Sequence, residues 1–250
     1  MWHFGSLVLA GLVAGTMNAV AGGGSFVTFP MLVLAGLAPI AANASSTVAL
    51  FPGTMASTWA YRDAVRGIGG VGLEVLLPVT LAGGLTGAIL LLVTPGGVFD
   101  AVIPWLLLLA TLTFAAGRRP GEWLRRHVRI GRGPFLAVQF ILSVYGGYFG
   151  GAVGLMMMAV WALLDAAELR AMAAPRALLV TTANGAAVVC FAMAGAVRWP
   201  ETLAMMVSAI AGGYYGARFA LLLPPLVLRW LVVVVSGAVT AGFFLRLGWL

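Results

Sequence analysis

Long stretches that are apolar on every face are the feature of this sequence that most constrains its fold. Runs close to the roughly 20 residues that cross a bilayer as a helix occur at 44–61, 71–93, 98–117, 176–194, 202–222 and 226–245. Membrane β-strands are shorter and alternate polar with apolar residues, so the spanning elements must be helices. With 62% apolar and only 8% charged residues, the composition excludes a soluble enzyme, a disulfide-rich secreted protein and a disordered chain. The sequence predicts an all-α polytopic membrane protein whose main partner is the lipid bilayer.

The few charged residues are concentrated in one short segment. Residues 118–132 hold six Arg and Glu122, which is seven of the 21 charged residues in the chain. Because short Arg-rich loops beside membrane helices stay in the cytoplasm, we predict a basic cytoplasmic linker at 118–133. The net charge of +7 follows mainly from this linker and requires no nucleic-acid partner. Cys190 is the single cysteine, which excludes an intrachain disulfide and a cysteine-based metal cluster.

Each half of the chain opens with a long apolar stretch that glycines interrupt. The first stretch, 4–37, contains Gly22-Gly23-Gly24, and the second, 134–164, contains Gly146-Gly147 and Gly150-Gly151. Glycine costs about 1 kcal/mol in a helix interior, so both clusters predict a break. No Arg or Lys precedes the first apolar stretch, so we expect residues 1–37 to be retained in the membrane and not cleaved as a signal peptide.

The two halves also share a motif, which indicates an internal duplication. The sequence A-G-G-x-x-G-A at 82–88 recurs at 211–217, and the broken stretches align at a similar offset. We predict two homologous repeats, 1–117 and 134–250, each with a glycine-broken helix pair and three transmembrane helices. If each broken stretch is a hairpin, the repeats are inverted, and if each is one interrupted crossing, they are parallel. The inverted arrangement is the favoured interpretation.

The densest polar cluster of the first half surrounds its glycine break. Asn18 precedes Gly22, Gly23 and Gly24, and Ser25 follows them. Glycines leave backbone N–H groups uncovered, Ser25 is expected to cap the next helix, and a helix N-terminus attracts anions. These residues therefore predict an anion cradle. The alternative is that the glycines only let a neighbouring helix approach closely.

A second polar cluster lies at the expected entrance of the next crossing. Asn43, Ser46 and Thr47 belong to it, and Pro52 follows within the same run. In isolation the cluster is typical of a helix cap. Pro52 predicts a bend that would expose carbonyl groups to a ligand.

The second half offers a matching set of candidate ligands. Tyr148, Gly150 and Gly151 surround its glycine break; a tyrosine hydroxyl there donates to an anion or anchors the helix at the interface. Arg176 is expected to open an apolar helix, with Asn184 two turns later on the same face. A cation and an amide on one helix face suit an anion path, whereas snorkelling of Arg176 to the headgroups is the competing interpretation.

These motifs resemble those of the sulfite exporter TauE/SafE family, whose members are anion permeases that include the 4-toluene sulfonate uptake type. The resemblance rests on G-T-M-N-A-V-A-G-G-G-S at 15–25, F-P at 29–30, A-N-A-S-S-T at 42–47, Y-G-G-Y-F-G at 145–150 and Asn184. It implies a secondary transporter of small sulfur oxyanions or organosulfonates, such as sulfite, thiosulfate or sulfoacetate, in the bacterial cytoplasmic (inner) membrane. Where family members often have Asn-x-x-Lys, this chain has Ala173 and Arg176, which argues against strictly symmetric ligands.

An intramembrane enzyme is disfavoured because the sequence lacks the required partners. A nucleophilic Ser25 would need a base, but the two histidines are His3, near the N-terminus, and His127, in the linker. The aspartates lie near segment ends, so we predict no catalytic residue, metal or cofactor. A passive anion channel or a non-transporting membrane subunit is the open alternative, and a homo-oligomer is compatible with the sequence. The candidate substrate-binding residues are Asn18, Gly22, Gly23, Gly24, Ser25, Asn43, Ser46, Thr47, Tyr148, Gly150, Gly151, Arg176 and Asn184.

Overall fold

The computed structural model describes residues 2–21, 23–68, 70–116, 131–161, 169–220 and 225–246, and these ranges contain ten α-helices and no strand. The prediction of an all-α fold is confirmed. Gly22 and residues 118–130 of the predicted linker lie outside the described residues. The helices are α1 (Trp2–Ala21), α2 (Ser25–Leu34), α3 (Pro39–Ala60), α4 (Leu73–Val93), α5 (Gly96–Ala116), α6 (Arg132–Tyr148), α7 (Val153–Trp161), α8 (Leu169–Met193), α9 (Trp199–Ala220) and α10 (Pro225–Arg246).

Six of these helices, α3, α4, α5, α8, α9 and α10, coincide with the six apolar runs. Two of them, α3 and α8, begin at least one turn earlier than expected, and this moves polar residues from helix ends into helix interiors. Pro39 starts α3, which suits its fixed φ and missing N–H group, so Asn43 lies in the second turn and the capping interpretation is wrong. Likewise α8 begins at Leu169, so Arg176 lies about two turns inside that helix and does not open it. Helix α3 also continues through Pro52 without a break.

Helix length and apolar composition agree with a membrane location. Segments 73–93 of α4, 96–113 of α5 and 172–193 of α8 are long and apolar enough to cross a bilayer, and α1, α2 and α10 contain shorter apolar segments. Helix α3, which carries the polar residues of 43–47, is not among these segments. Large apolar side chains on the outer faces, such as Leu9, Leu112 and Val207, are more than half exposed. Such a surface suits lipid contact.

Each glycine-broken stretch forms a longer helix, a short break and a shorter helix. In the first stretch the chain reverses direction at the break. The close contact of Gly24 with α1 shows this, since a Cβ atom on Gly24 would come within 2.6 Å of the Ala14 carbonyl oxygen. Ser25 is the first residue of α2, and no side chain caps this helix at Gly24, so the expected Ser25 cap is wrong. In the second break Gly150 and Ala152 both adopt positive φ, 79° and 59°, a conformation that is costly for a residue with a Cβ atom.

Close contacts between glycines and carbonyl groups join the two halves. Helix α1 runs parallel to α9, where Thr16 Oγ1 donates to the Gly212 carbonyl at 3.0 Å. Helix α4 runs parallel to α6 in the same way, and a Cβ atom on Gly147 would overlap the Gly84 carbonyl. The A-G-G-x-x-G-A motifs of the sequence therefore lie at helix–helix contacts, as small residues do in membrane bundles.

The corresponding long helices of the two halves run antiparallel where they meet. Thr58 of α3 hydrogen-bonds Thr181 of α8 at 2.8 Å, whereas Ser45, near the other end of α3, accepts a bond from the backbone N–H of Arg198, which follows α8. In α5 and α10, Thr111 and Thr240 share a hydrogen bond of 3.1 Å. Trp105, earlier in α5, packs on Phe244, later in α10, with ring centroids 5.3 Å apart, so these helices also run in opposite directions. Inverted repeats require opposite directions of this kind. The duplication itself stays a prediction.

Candidate anion-binding site

A cavity of about 90 Å³ lies where the two glycine breaks meet. This volume is several times the roughly 10–15 Å³ that one water needs, so the cavity has room for a small ion. Its wall combines hydroxyl, amide and guanidinium groups with apolar side chains. The lining residues are Asn18, Ser25, Thr47, Leu50, Thr54, Ser57, Phe149, Gly150, Val153, Gly154, Leu155, Arg176, Ala177, Val180 and Asn184.

The N-termini of two short helices converge on this cavity. Ser25 begins α2, Val153 begins α7, and both residues line the wall. In α7 the first backbone hydrogen bonds are donated by Leu155 and Met156 to the Ala152 carbonyl, and helix geometry leaves the preceding N–H groups without an acceptor in their own helix. Each helix N-terminus carries about half a positive charge. Together they provide N–H donors and a positive potential for an anion.

Arg176 adds a full positive charge to the same wall. Its aliphatic stem packs on the backbone of α7, since a Cβ atom on Gly154 would lie 3.2 Å from the Arg176 Cδ. Within the described part of the chain, the guanidinium has no ion-pair or hydrogen-bond partner. None of the described lining residues is acidic. Among the described residues, therefore, the site is a positively charged cavity whose cation has no carboxylate partner.

Three hydroxyl groups form a polar stripe along α3. Thr47, Thr54 and Ser57 line the cavity, and each donates its proton to a carbonyl of its own helix at 2.8 to 3.0 Å. A hydroxyl group rotates to suit its environment, so each could turn its proton to an oxyanion that entered. Sequence reasoning missed Thr54 and Ser57. Their spacings of seven and ten residues from Thr47 place all three near one helix face, and this periodicity was a usable signal.

Two asparagine side chains complete the polar wall. Asn18 comes from α1 and Asn184 from α8, and both are half-buried. The Asn184 Oδ1 atom is buried and has no hydrogen-bond partner in the described structure. An unpaired buried polar atom costs about 1–3 kcal/mol, and such atoms are rare enough to suggest that a ligand or water completes the site.

The structure does not bring every predicted ligand to the cavity wall. Of the described candidates, Asn18, Ser25, Thr47, Gly150, Arg176 and Asn184 line it, whereas Gly23, Gly24, Asn43, Ser46, Tyr148 and Gly151 do not. Gly24 provides the close approach of α2 to α1, which is the packing role that the sequence left as an alternative. The Tyr148 hydroxyl lies 3.4 Å from the Thr94 Oγ1 atom, so it is directed to α4 and its end and not into the cavity.

Asn43 and Ser46 instead make buried contacts between helices. The Asn43 Nδ2 atom donates to the Tyr148 carbonyl oxygen at 2.8 Å. Ser46 Oγ and Thr28 Oγ1 share a hydrogen bond of 2.5 Å, which joins α3 to α2. Asn43 and Ser46 are 2% and 1% exposed. They stabilise the two breaks that border the cavity, but they do not line it.

Gln139, a residue that sequence reasoning did not single out, anchors α7. Its Oε1 atom accepts a bond from the Trp161 indole N–H at 3.1 Å, and its Nε2 atom donates to Thr80 Oγ1 at 3.0 Å. All three side chains are buried, so this network joins the far end of α7 to α6 and α4. A satisfied buried network of this kind fixes geometry, and here it fixes the helix whose N-terminus lines the cavity.

Comparisons with known proteins agree with a membrane protein of this kind. The profile of the family described as "Sulfite exporter TauE/SafE" matches residues 7–243. The "Probable membrane transporter protein ORF9" of Sinorhizobium sp is 29% identical over 234 residues, which cover 92% of this chain and 88% of that protein.

Two further relatives have similar coverage. The "Probable membrane transporter protein YfcA" of Escherichia coli K12 is 27% identical over 95% of this chain and 88% of its own length. A "Probable membrane transporter protein" of Haemophilus influenzae is 27% identical over 97% of this chain and 95% of its own length. No solved structure matches the chain significantly. Since the family profile covers nearly the whole sequence, the chain belongs to the sulfite exporter TauE/SafE family.

Proposed function

We propose that this membrane protein is a secondary transporter of small sulfur-containing anions, such as sulfite, thiosulfate, sulfoacetate or another organosulfonate, in the bacterial inner membrane. The observation that carries the proposal is the meeting of two helix N-termini and the Arg176 guanidinium in one cavity whose described lining residues include no carboxylate. Such a site attracts an anion through dipoles and N–H donors as well as one full charge. Dipoles and N–H donors let a membrane site hold an anion with few full charges, which suits a transporter because each buried uncompensated charge is costly.

Each polar group of the cavity has a role in this proposal. Arg176 pairs with the negative charge of the anion, and the N–H groups at the start of α7 donate to its oxygens. Asn18, Ser25 and Asn184 supply further donors around the anion. A hydrogen bond to a charged group contributes roughly 1.5–3 kcal/mol, so a few of them provide affinity in the micromolar to millimolar range after the entropic cost of binding. The proposed mechanism uses no catalytic step and no bound cofactor.

The antiparallel packing of α3 on α8 and of α5 on α10 supports a carrier. Inverted repeats place the substrate site at the repeat interface near the middle of the membrane, where half-helix N-termini point at the anion. The cavity is lined by Ser25 at the first break and Gly150 at the second, which supports this arrangement. We therefore include an inverted duplication in the proposal and place the 118–133 linker in the cytoplasm.

A ligand screen with the purified protein tests the function. Its thermal midpoint should rise selectively with one or more of sulfite, thiosulfate, sulfate, taurine and sulfoacetate, because an anion that binds the folded state at 100 times its Kd adds about 2.7 kcal/mol. Counterflow in proteoliposomes then separates the candidates: a carrier transiently accumulates labelled anion against its gradient when unlabelled anion is trans to it, whereas a channel does not. Absence of stabilisation by every sulfur anion, together with absence of anion flux, would refute the proposal.

A further inference from the structure

The cavity extends toward one end of the α3–α8 pair and is closed toward the other. Its wall includes Ser57, one turn before α3 ends, and Arg176, in the first third of α8. Because α3 and α8 run antiparallel, these two residues lie at the same end, near residues 62–64, which follow α3. We call this end the mouth, and the opposite end, toward Arg198, the seal.

The seal begins one helical turn beyond the deepest polar residues of the cavity. Asn43 lies four residues before Thr47 on α3, and Ala187 lies three residues after Asn184 on α8, so each continues the cavity-lining face of its helix. Neither lines the cavity, and they are 2% and 0% exposed. The cavity wall therefore becomes a packed layer within one turn.

The hydrogen bond of Asn43 holds this layer to the second half of the chain. Its acceptor, the Tyr148 carbonyl at 2.8 Å, belongs to the last residue of α6, directly before the second glycine break. That break contains Gly150, which lines the cavity, and Ala152, which is 2% exposed with a φ of 59°. A contact across the two halves is needed there, because a positive φ at alanine is unfavourable unless neighbouring structure holds it.

The bonds next to Asn43 act in the same layer. Ser45 accepts a bond from the Arg198 backbone N–H at 3.0 Å, and Ser46 bonds Thr28 of α2. Helix positions 43, 45 and 46 thus tie α3 to the second break, to the chain after α8 and to α2. Of the three, only the Asn43 bond reaches a break that also lines the cavity.

We propose that Asn43 is a positioning residue that does not contact the anion: through the Tyr148 carbonyl it keeps the cavity sealed at the Arg198 end, so that an anion enters and leaves by the mouth at Ser57 and Arg176. The proposal rests on the proposed transport function for its purpose, but its geometry does not depend on which anion is carried. Release of this bond is the step that would open the cavity to the other side of the membrane.

Cysteine modification tests the seal without any transported anion, so its outcome is separate from that of the proposed function. In a Cys190→Ala background, Ser57→Cys reports the mouth and Ala187→Cys reports the seal. The protein is reconstituted in nanodiscs, where both faces are accessible, and treated with an anionic, membrane-impermeant methanethiosulfonate. We expect the Ser57→Cys thiol to react at least 100 times faster than the Ala187→Cys thiol.

Variants of Asn43 then test its role. Asn43→Leu has a similar size but no donor for the Tyr148 carbonyl, and it should speed modification of Ala187→Cys at least tenfold, which corresponds to about 1.4 kcal/mol. Asn43→Ala should act alike, with the Ser57→Cys rate unchanged. The matched control is Thr58→Val, which removes the α3–α8 hydrogen bond at the mouth end and should leave the Ala187→Cys rate unchanged.

Two labelling results would overturn the proposal. One is equal reaction rates of the two thiols when Asn43 is intact, and the other is continued protection of Ala187→Cys in both Asn43 variants. If Ala187→Cys does not fold, Ser46→Cys, which is nearly isosteric, reports the same layer under the same criteria. A direct ligand role for Asn43 is tested alongside: Asn43→Ala should leave the Kd for a bound sulfur anion within about twofold, whereas a tenfold rise would also contradict the proposal.

Discussion

Replacement of Arg176 by Gln should weaken anion binding strongly, because this residue is the one full charge on the described cavity wall. At a separation of about 4 Å and an effective dielectric constant near 20, opposite unit charges attract by about 4 kcal/mol. Desolvation of both groups reduces the net value to the roughly 1.5–3 kcal/mol of a charge-assisted hydrogen bond. The Kd for a sulfur anion should therefore rise about 10- to 150-fold.

Binding calorimetry on the purified variants measures this change. Arg176→Lys should recover part of the affinity, since it keeps the charge but loses the planar donor fork. Arg198→Gln is the matched control: its side chain is 65% exposed, lies 3.9 Å from Glu201 and is at the sealed end, so the Kd should change less than about twofold. A Kd for Arg176→Gln within twofold of the unmodified protein would show that Arg176 snorkels to the headgroups and that the anion binds elsewhere.

Three further outcomes follow from the packing. Gly84→Leu should lower the yield of folded protein, because its Cβ atom would come within 2.7 Å of the Ala183 carbonyl oxygen. Gly154→Leu should instead leave a folded protein that binds no anion in calorimetry, because the new side chain fills the space beside Arg176. Normal anion binding by Gly154→Leu would contradict the proposed site. Gln139→Leu should lower the thermal midpoint by roughly 2–12 °C, because it leaves the Trp161 N–H donor buried without a partner, at a cost of about 1–3 kcal/mol. The control Thr86→Val removes an exposed hydroxyl that bonds within its own helix and should change the midpoint little. In a Cys190→Ala background, Arg62→Cys and Arg198→Cys should be labelled from opposite faces of the membrane, with Arg62→Cys on the cytoplasmic face, and labelling from one face would contradict inverted repeats.

The helical architecture could be predicted closely because it depends on local properties of the chain. Length and apolarity of a run decide whether it forms a membrane helix, and the six predicted runs coincide with six long helices. The glycines at 23–24 and 150–151 lie at the two breaks as predicted, whereas Gly146 and Gly147 lie inside α6. The cost of glycine in a helix therefore indicated the region of each break but not its exact position. The helix starts were less certain, and the early starts of α3 and α8 changed the interpretation of Asn43 and Arg176.

The candidate site was predicted only in part. The residues that were predicted wrongly differ from the others in which neighbour the side chain contacts. Asn18 and Asn43 have the same chemistry and both flank suspected functional motifs, yet Asn18 lines the cavity and Asn43 bonds the Tyr148 carbonyl. No local pattern separates these two outcomes. Thr54 and Ser57 could have been found from their helical spacing after Thr47, whereas the Gln139 network joins residues of three helices and gives no local signal.

The sequence by itself determined that this chain is a helical membrane protein with two glycine-broken segments and one concentration of basic residues, since these features follow from composition and from order along the chain. Its motifs also determined the family. Only the tertiary structure decided that both breaks meet at one cavity, that Arg176 lacks a partner among the described residues and that α3 and α8 run antiparallel. The physical reason is that binding depends on groups brought together from distant positions, such as Ser25 and Val153. Their meeting is decided by how whole helices pack, and not by the residues next to them in the chain.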